Sequence, residues 1–163
     1  MSLVRLQNIR KYFPVKRSIG EVLLRTPQSF VKAVDGISFE IEPGETFGLV
    51  GESGSGKTTT GRIVLRLIEP TEGTIVFDGR DITKLSGDEM RKLRKDMQII
   101  FQDPMAALNP YMKIGEAIKH GLDIHNIGNT QSERKKLVCE MLERVNLQAD
   151  LYDRYPHELS GGQ

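Results

Sequence analysis

Gly51-Glu52-Ser53-Gly54-Ser55-Gly56-Lys57-Thr58 is a complete GxxxxGK[ST] run, and its residue types answer the separate needs of wrapping backbone around a chain of phosphates. Glycines let the backbone turn tightly and approach phosphate oxygens without a Cβ in the way. Successive N–H groups then converge on the anion, and a helix starting near Gly56 adds uncapped donors and a positive dipole end. Lys57 is placed to reach the β and γ phosphates, and the Thr58 hydroxyl to take one position on Mg²⁺. Thr59 completes the candidate cradle.

Such a loop works only between a strand and a helix. Glu45 to Val50 reads as a short buried strand, and Thr58 to Ile68 as a helix halted before Pro70. Upstream, Leu3 to Ile9 alternates apolar with polar and ends in Tyr12-Phe13 before Pro14. Val31 to Ile41 alternates less cleanly, with Val34, Ile37, Phe39 and Ile41 as inward candidates, so an antiparallel pair is expected. Pro14 to Lys32 between them is a surface excursion with basic residues around Val22, Leu23 and Leu24.

Further along, Gly73 to Asp78 reads as a strand, and Ser86 to Lys95 as a basic helix. Its flanking acids Asp88, Glu89 and Asp96 favour a solvated face over a binding patch. Met97 to Phe101 has buried-strand length. Gln131 to Val145 is the clearest helix, with Leu137, Val138, Met141, Leu142 and Val145 on one face and Thr130-x-x-Glu133 as a capping box.

Composition narrows the function classes. Twenty-three Lys and Arg against 22 Asp and Glu leave +1 over 163 residues, which gives no polyanion-binding surface and points away from nucleic acid. No apolar stretch approaches the roughly 20 residues that span a bilayer. The single cysteine, Cys139, excludes an internal disulfide and reads as inert. No Asn-Lys-x-Asp guanine-reading motif is present, which disfavours a GTPase.

About a hundred residues after the phosphate loop stands Leu159-Ser160-Gly161-Gly162-Gln163, preceded by Tyr155-Pro156-His157-Glu158. With this pair of motifs the whole chain resembles an ABC-type nucleotide-binding domain, a P-loop NTPase of α/β class. The resemblance implies an N-terminal antiparallel β portion, a partial parallel core and a helical subdomain, divided as residues 1–102 and 103–163. Lys11 to Lys16 and Phe101-Gln102-Asp103-Pro104 with Leu108-Asn109-Pro110 look like the second ATPase subunit of dipeptide and oligopeptide importers.

That resemblance implies roles residue by residue. Phe13, better placed than Tyr12 by its spacing from Asn8, would stack on adenine. Gln102 would sense Mg²⁺ and the attacking water. Ser160, Gly161, Gly162 and Gln163 would bind the γ phosphate of ATP held by a second ATPase subunit. Implied partners are that subunit, the membrane permease subunits and, indirectly, an extracellular peptide-binding protein, with the chain peripheral on the cytoplasmic face of the cell membrane. The apolar residues from Met105 to Met112 would either receive a permease helix or pack against the following helix.

After the signature the family places an acidic strand end, a catalytic glutamate and a switch histidine, none of which is in this sequence. His120, His125 and His157 do not stand where that histidine would, and His157 reads as structural. Residues 1–163 are therefore expected not to turn ATP over. The same departure is expected to leave the phosphate-loop strand without its neighbour. Two other readings stay open: a module that only binds nucleotide, and an ABC ATPase outside transport.

Overall fold

A computed structural model describes residues 2–24 and 26–163. Arg25 and the side chain of Val22, both counted above, lie outside the described residues. The chain divides into two compact units, Met1–Gln98 and Ile99–Gln163.

The first unit is built on a four-stranded antiparallel sheet in the order β2-β1-β3-β4. Its strands are β1 (Val4–Pro14), β2 (Phe30–Ile41), β3 (Glu72–Phe77) and β4 (Arg80–Asp81), and α1 (Ile19–Leu23) lies in the excursion between β1 and β2. Val4 and Leu6 point inward at the period of two, and then the register shifts beside Asn8, whose φ is +49°. That extra residue reverses the phase, so Ile9 also faces the core. Helix α2 (Lys57–Val64) contributes Ile63, which is fully buried with Leu6, Ile9, Ile75 and Ile82. Val34 is buried, and Ile37, Phe39 and Ile41 pack against the same core, as their alternation predicts.

Helix α3 (Gly87–Leu93) opens with a reciprocal cap: Ser86 Oγ accepts from Glu89 N at 3.4 Å, and Glu89 Oε2 accepts from Ser86 N at 3.0 Å.

Both runs expected to be buried strands differ from that reading. Residues 45–50 and 97–101 pair with no strand among the described residues, so the partial parallel core is not formed here. Val50 is 94% exposed and Ile100 93% exposed. An apolar run records a preference for burial, but a strand exists only through a neighbour, and neither run has one. The first is held to β2 instead by Phe47 stacked on Phe39, with centroids 4.7 Å apart. Helix α2 also ends earlier than Ile68. Arg66 adopts φ +51°, and its guanidinium donates to the Ile82 carbonyl.

In the second unit α4 (Pro104–Ala107), α5 (Ile114–Ile124) and α6 (Gln131–Arg144) are followed by two 3₁₀ turns, Ala149–Asp153 and Pro156–Glu158. Its core is Ile114, Leu122, Val138, Leu142 and Tyr152. Thr130 caps α6 by accepting from Glu133 N at 3.1 Å. Glu133 Oε2 accepts from Asn129 N at 2.7 Å, one residue before the cap, so the expected box is half realised. Met141 is 40% and Val145 64% exposed, so two of the five face residues do not join the core.

Candidate functional site

The sequence-predicted phosphate loop is a single local structure in the first unit. Gly54 and Gly56 hold φ +82° and +89°, in the left-handed region that glycine adopts at least cost. Gly56 is the N-cap of α2, and a Cβ there would lie 2.3 Å from the Ala33 carbonyl oxygen of β2. Only a residue without a side chain lets the helix begin this close to the sheet.

No side chain caps α2, so the N–H groups of its first turn remain available to an acceptor from outside. Residues 51–55 and Thr58 are exposed, while Thr60, two residues on, is buried. Lys57 Nζ donates to the carbonyls of Gly51 at 2.7 Å and Glu52 at 2.5 Å, and to Ser55 Oγ at 3.3 Å. A cationic centre is thereby held inside the turn, with helix donors beside it. Alongside lies a cleft of about 240 Å³ lined by Val34, Asp35, Leu49, Gly51, Ser55 and Lys57, among others.

This arrangement fits a polyphosphate: several donors converge, a cation sits in reach, and the closest approaches carry no Cβ. For a divalent cation the chain supplies the Thr58 hydroxyl. No group of three His, Cys, Asp or Glu residues assembles a metal site among the described residues.

Phe13 lies near the end of β1, paired with Val31, and is 38% exposed. Lys11 Nζ stands 5.0 Å from its ring centroid. Tyr12 is more heavily engaged. Its hydroxyl donates to Asp35, and Lys32 Nζ lies 5.2 Å over its ring. The hydrogen bond from Tyr12, with that from Lys32, holds the Asp35 carboxyl below the usual carboxylate range and in turn raises the Tyr12 phenol.

Gln102 and Ser160 to Gln163 belong to the second unit. Gln102 is exposed in a bend just before α4, whose N-cap Asp103 accepts from Ala106 N at 3.1 Å with Pro104 following. Ser160 donates through N and Oγ to Gln163 Oε1 at 2.9 and 3.1 Å, and Gln163 N donates to the Ser160 carbonyl at 2.9 Å. The signature is thus an exposed turn closed by its own glutamine. Glu158 Oε2 accepts from Tyr155 N at 2.7 Å just ahead of it, which lowers the Glu158 carboxyl. His157 is exposed and stacks on Tyr155 at 5.6 Å, so its contact is local.

Two participants escaped sequence reasoning. Asp35 lines the cleft, and its only prior signal was a lone acid beside Lys32 in an alternating strand. The capping role of Asp103 was missed although an acid before proline is a signal for an N-cap followed by the first helical residue.

A family model described as ABC transporter matches residues 34–163. Among curated proteins, the oligopeptide transport ATP-binding protein AppF of Bacillus subtilis is 47% identical over 163 residues, covering 99% of this chain and 48% of that protein. A putative peptide import ATP-binding protein of Brucella ovis is 55% identical over 139 residues, covering 85% of this chain and 44% of that protein. The chain spans about half the length of the curated relatives it matches. Among solved structures, the dimeric post-hydrolysis state of the ATP-binding cassette MJ0796 bound to ADP and Pi aligns with TM-score 0.77 and 30% identity, covering 98% of this chain and 64% of that one.

Proposed function

The chain belongs to the ABC transporter family, and on that premise we propose that it carries the ATP-holding part of an ATPase subunit that energises uptake of dipeptides or oligopeptides. The observation that carries this is the turn at Gly51 to Thr59, with Lys57 held at 2.7 and 2.5 Å by the loop carbonyls and the uncapped start of α2 beside it. Similarity to peptide-import ATP-binding proteins supports the solute class.

When bound, Mg²⁺ and ATP supply the cleavable phosphoanhydride and its charge neutralisation. The loop N–H groups and Lys57 hold β and γ phosphate oxygens, Thr58 offers its hydroxyl to the metal, and Phe13 offers a ring face to the base. Gln102 positions water and metal. Ser160, Gly161, Gly162 and Gln163 bind the nucleotide of a second ATPase subunit, so ATP forms part of the contact between the two. Residues 1–102 and 103–163 are the β-plus-loop and helical portions of this domain. Partners are that second subunit, the permease subunits and, through them, an extracellular peptide-binding protein, at the cytoplasmic face of the membrane. The stretch from Met105 to Met112, with Met105 at 41% and Tyr111 at 91% exposed, is the permease-facing candidate.

Titration of residues 1–163 with Mg·ATP tests the reading. Binding without phosphate release is expected, with affinity lowered at least roughly tenfold by Lys57→Ala, the scale of one lost charge-assisted hydrogen bond. Equal affinity of wild type and variant would overturn the assignment of the loop, and Lys57-dependent phosphate release would overturn the inactivity of these residues alone.

A further inference from the structure

Among the described residues, the excursion between β1 and β2 is closed by its own hydrogen bonds and carries exposed aliphatic side chains. Val15 N donates to the Ser29 carbonyl at 2.9 Å, Arg17 Nη1 to the Thr26 carbonyl at 2.9 Å, and Gln28 Nε2 to the Val15 carbonyl at 2.6 Å. These bonds close the base of the loop and fix α1 at its tip. On that tip Ile19, Leu23 and Leu24 are 89%, 84% and 79% exposed. Ile19 and Leu23, four apart, share one face of α1, and Leu24 follows directly after the helix.

Charge is segregated with them. Residues 15–29, between the two strands, hold Lys16, Arg17 and Arg25 against Glu21, a net of +2 in a chain whose total is +1, so everything outside them sums to −1. Lys16 and Arg17 are exposed just ahead of the helix whose aliphatic side chains protrude. A surface that is both anionic and apolar just beneath is complementary to that combination. We propose that this tip docks on an anionic phospholipid surface, the aliphatic side chains entering the headgroup boundary and the cations lying among the phosphates. This goes beyond the nucleotide site and does not depend on it.

Flotation of the chain with vesicles of phosphatidylglycerol and phosphatidylethanolamine, against vesicles of phosphatidylcholine alone, tests it. Binding to the anionic vesicles is expected, weakening as salt shortens the screening length from about 10 Å at 0.1 M. Lys16→Gln should lower the partition coefficient roughly fivefold. The combined Ile19→Ser, Leu23→Ser, Leu24→Ser variant should lower it by roughly tenfold or more. Because all three positions are exposed, its circular dichroism and Mg·ATP affinity should match wild type, which separates this proposal from the fate of the nucleotide reading. No partition into anionic vesicles at low salt, equal partition into neutral ones, or indifference to the triple variant overturns it. Loss of permease association by the triple variant, without vesicle binding by the wild type, would assign the tip to a protein instead.

Discussion

Gly56→Ala concentrates two penalties at one atom. At φ +89° an L residue costs about 1–2 kcal/mol. The added Cβ would also stand 2.3 Å from the Ala33 carbonyl oxygen, where ordinary contact begins at 3.4 Å. The obstacle is backbone in β2 and has no rotamer to yield, so overpacking adds on the order of 1–3 kcal/mol. The sum is roughly 2–5 kcal/mol, and the shift needed to relieve it drags the helix start away from the loop. Gly54→Ala supplies the comparison. Its φ is +82°, but a Cβ there meets nothing within 4 Å, so only the backbone penalty of about 1–2 kcal/mol applies. Gly61→Ala, inside α2 with open space around it, should stabilise by about 0.5–1 kcal/mol. Urea unfolding followed by far-UV circular dichroism, alongside binding of a fluorescent ATP analogue, reads all three. If Gly56→Ala and Gly54→Ala cost the same, or Gly56→Ala binds nucleotide normally, the close approach of loop and sheet is not what shapes this site.

In the second unit, Gly115→Ala would place a Cβ 2.3 Å from the Tyr152 ring, and thermal unfolding should reveal a loss of about 1–3 kcal/mol. Val138→Ala, at a fully buried position, should cost about 2 kcal/mol by chemical denaturation, whereas Met141→Ala at 40% exposure should cost under about 1. Burial, with the hydrogen bond to Glu116, pushes the Tyr152 phenol up to about 12. The folded state therefore keeps its proton longer than the unfolded chain, and stability should fall from about pH 10 upward, a decline that Tyr152→Phe flattens. At the acid end, Asp81 is lowered by its bonds from Thr83, Glu89 by those from Ser86, Asp153 by Lys113 and Glu158 by the Tyr155 N–H. Here the unfolded state takes protons first, so stability present above about pH 5 should be lost as pH drops below about 4, with intrinsic circular dichroism as the readout.

Legibility in the sequence followed the range of the interaction. The loop at Gly51 to Thr58, the cap at Thr130 and the inward set Val34, Ile37, Phe39 and Ile41 depend on neighbours within a few residues or on a strict period, and they were readable. Residues 45–50 and 97–101 were readable only as apolar. Whether an apolar run becomes a strand depends on a partner from elsewhere in the chain, and spacing carries no information about that. Ile9 illustrates a subtler limit: its burial beside Val4 and Leu6 needs the phase reversal at Asn8, which a simple alternation hides. Glu133 illustrates another, since a capping-box pattern fixed the residue but not which N–H its carboxylate would accept.

The three N–H bonds of the Lys57 ammonium are not equally committed. Two are spent at 2.7 and 2.5 Å on carbonyls that belong to the loop itself, and the third reaches a hydroxyl at 3.3 Å. An incoming anion therefore has one weak rival, Ser55, and can be received while the two short contacts go on bracing the turn. On this geometry the hydrogen bond to Ser55 is the first that an arriving oxyanion would replace.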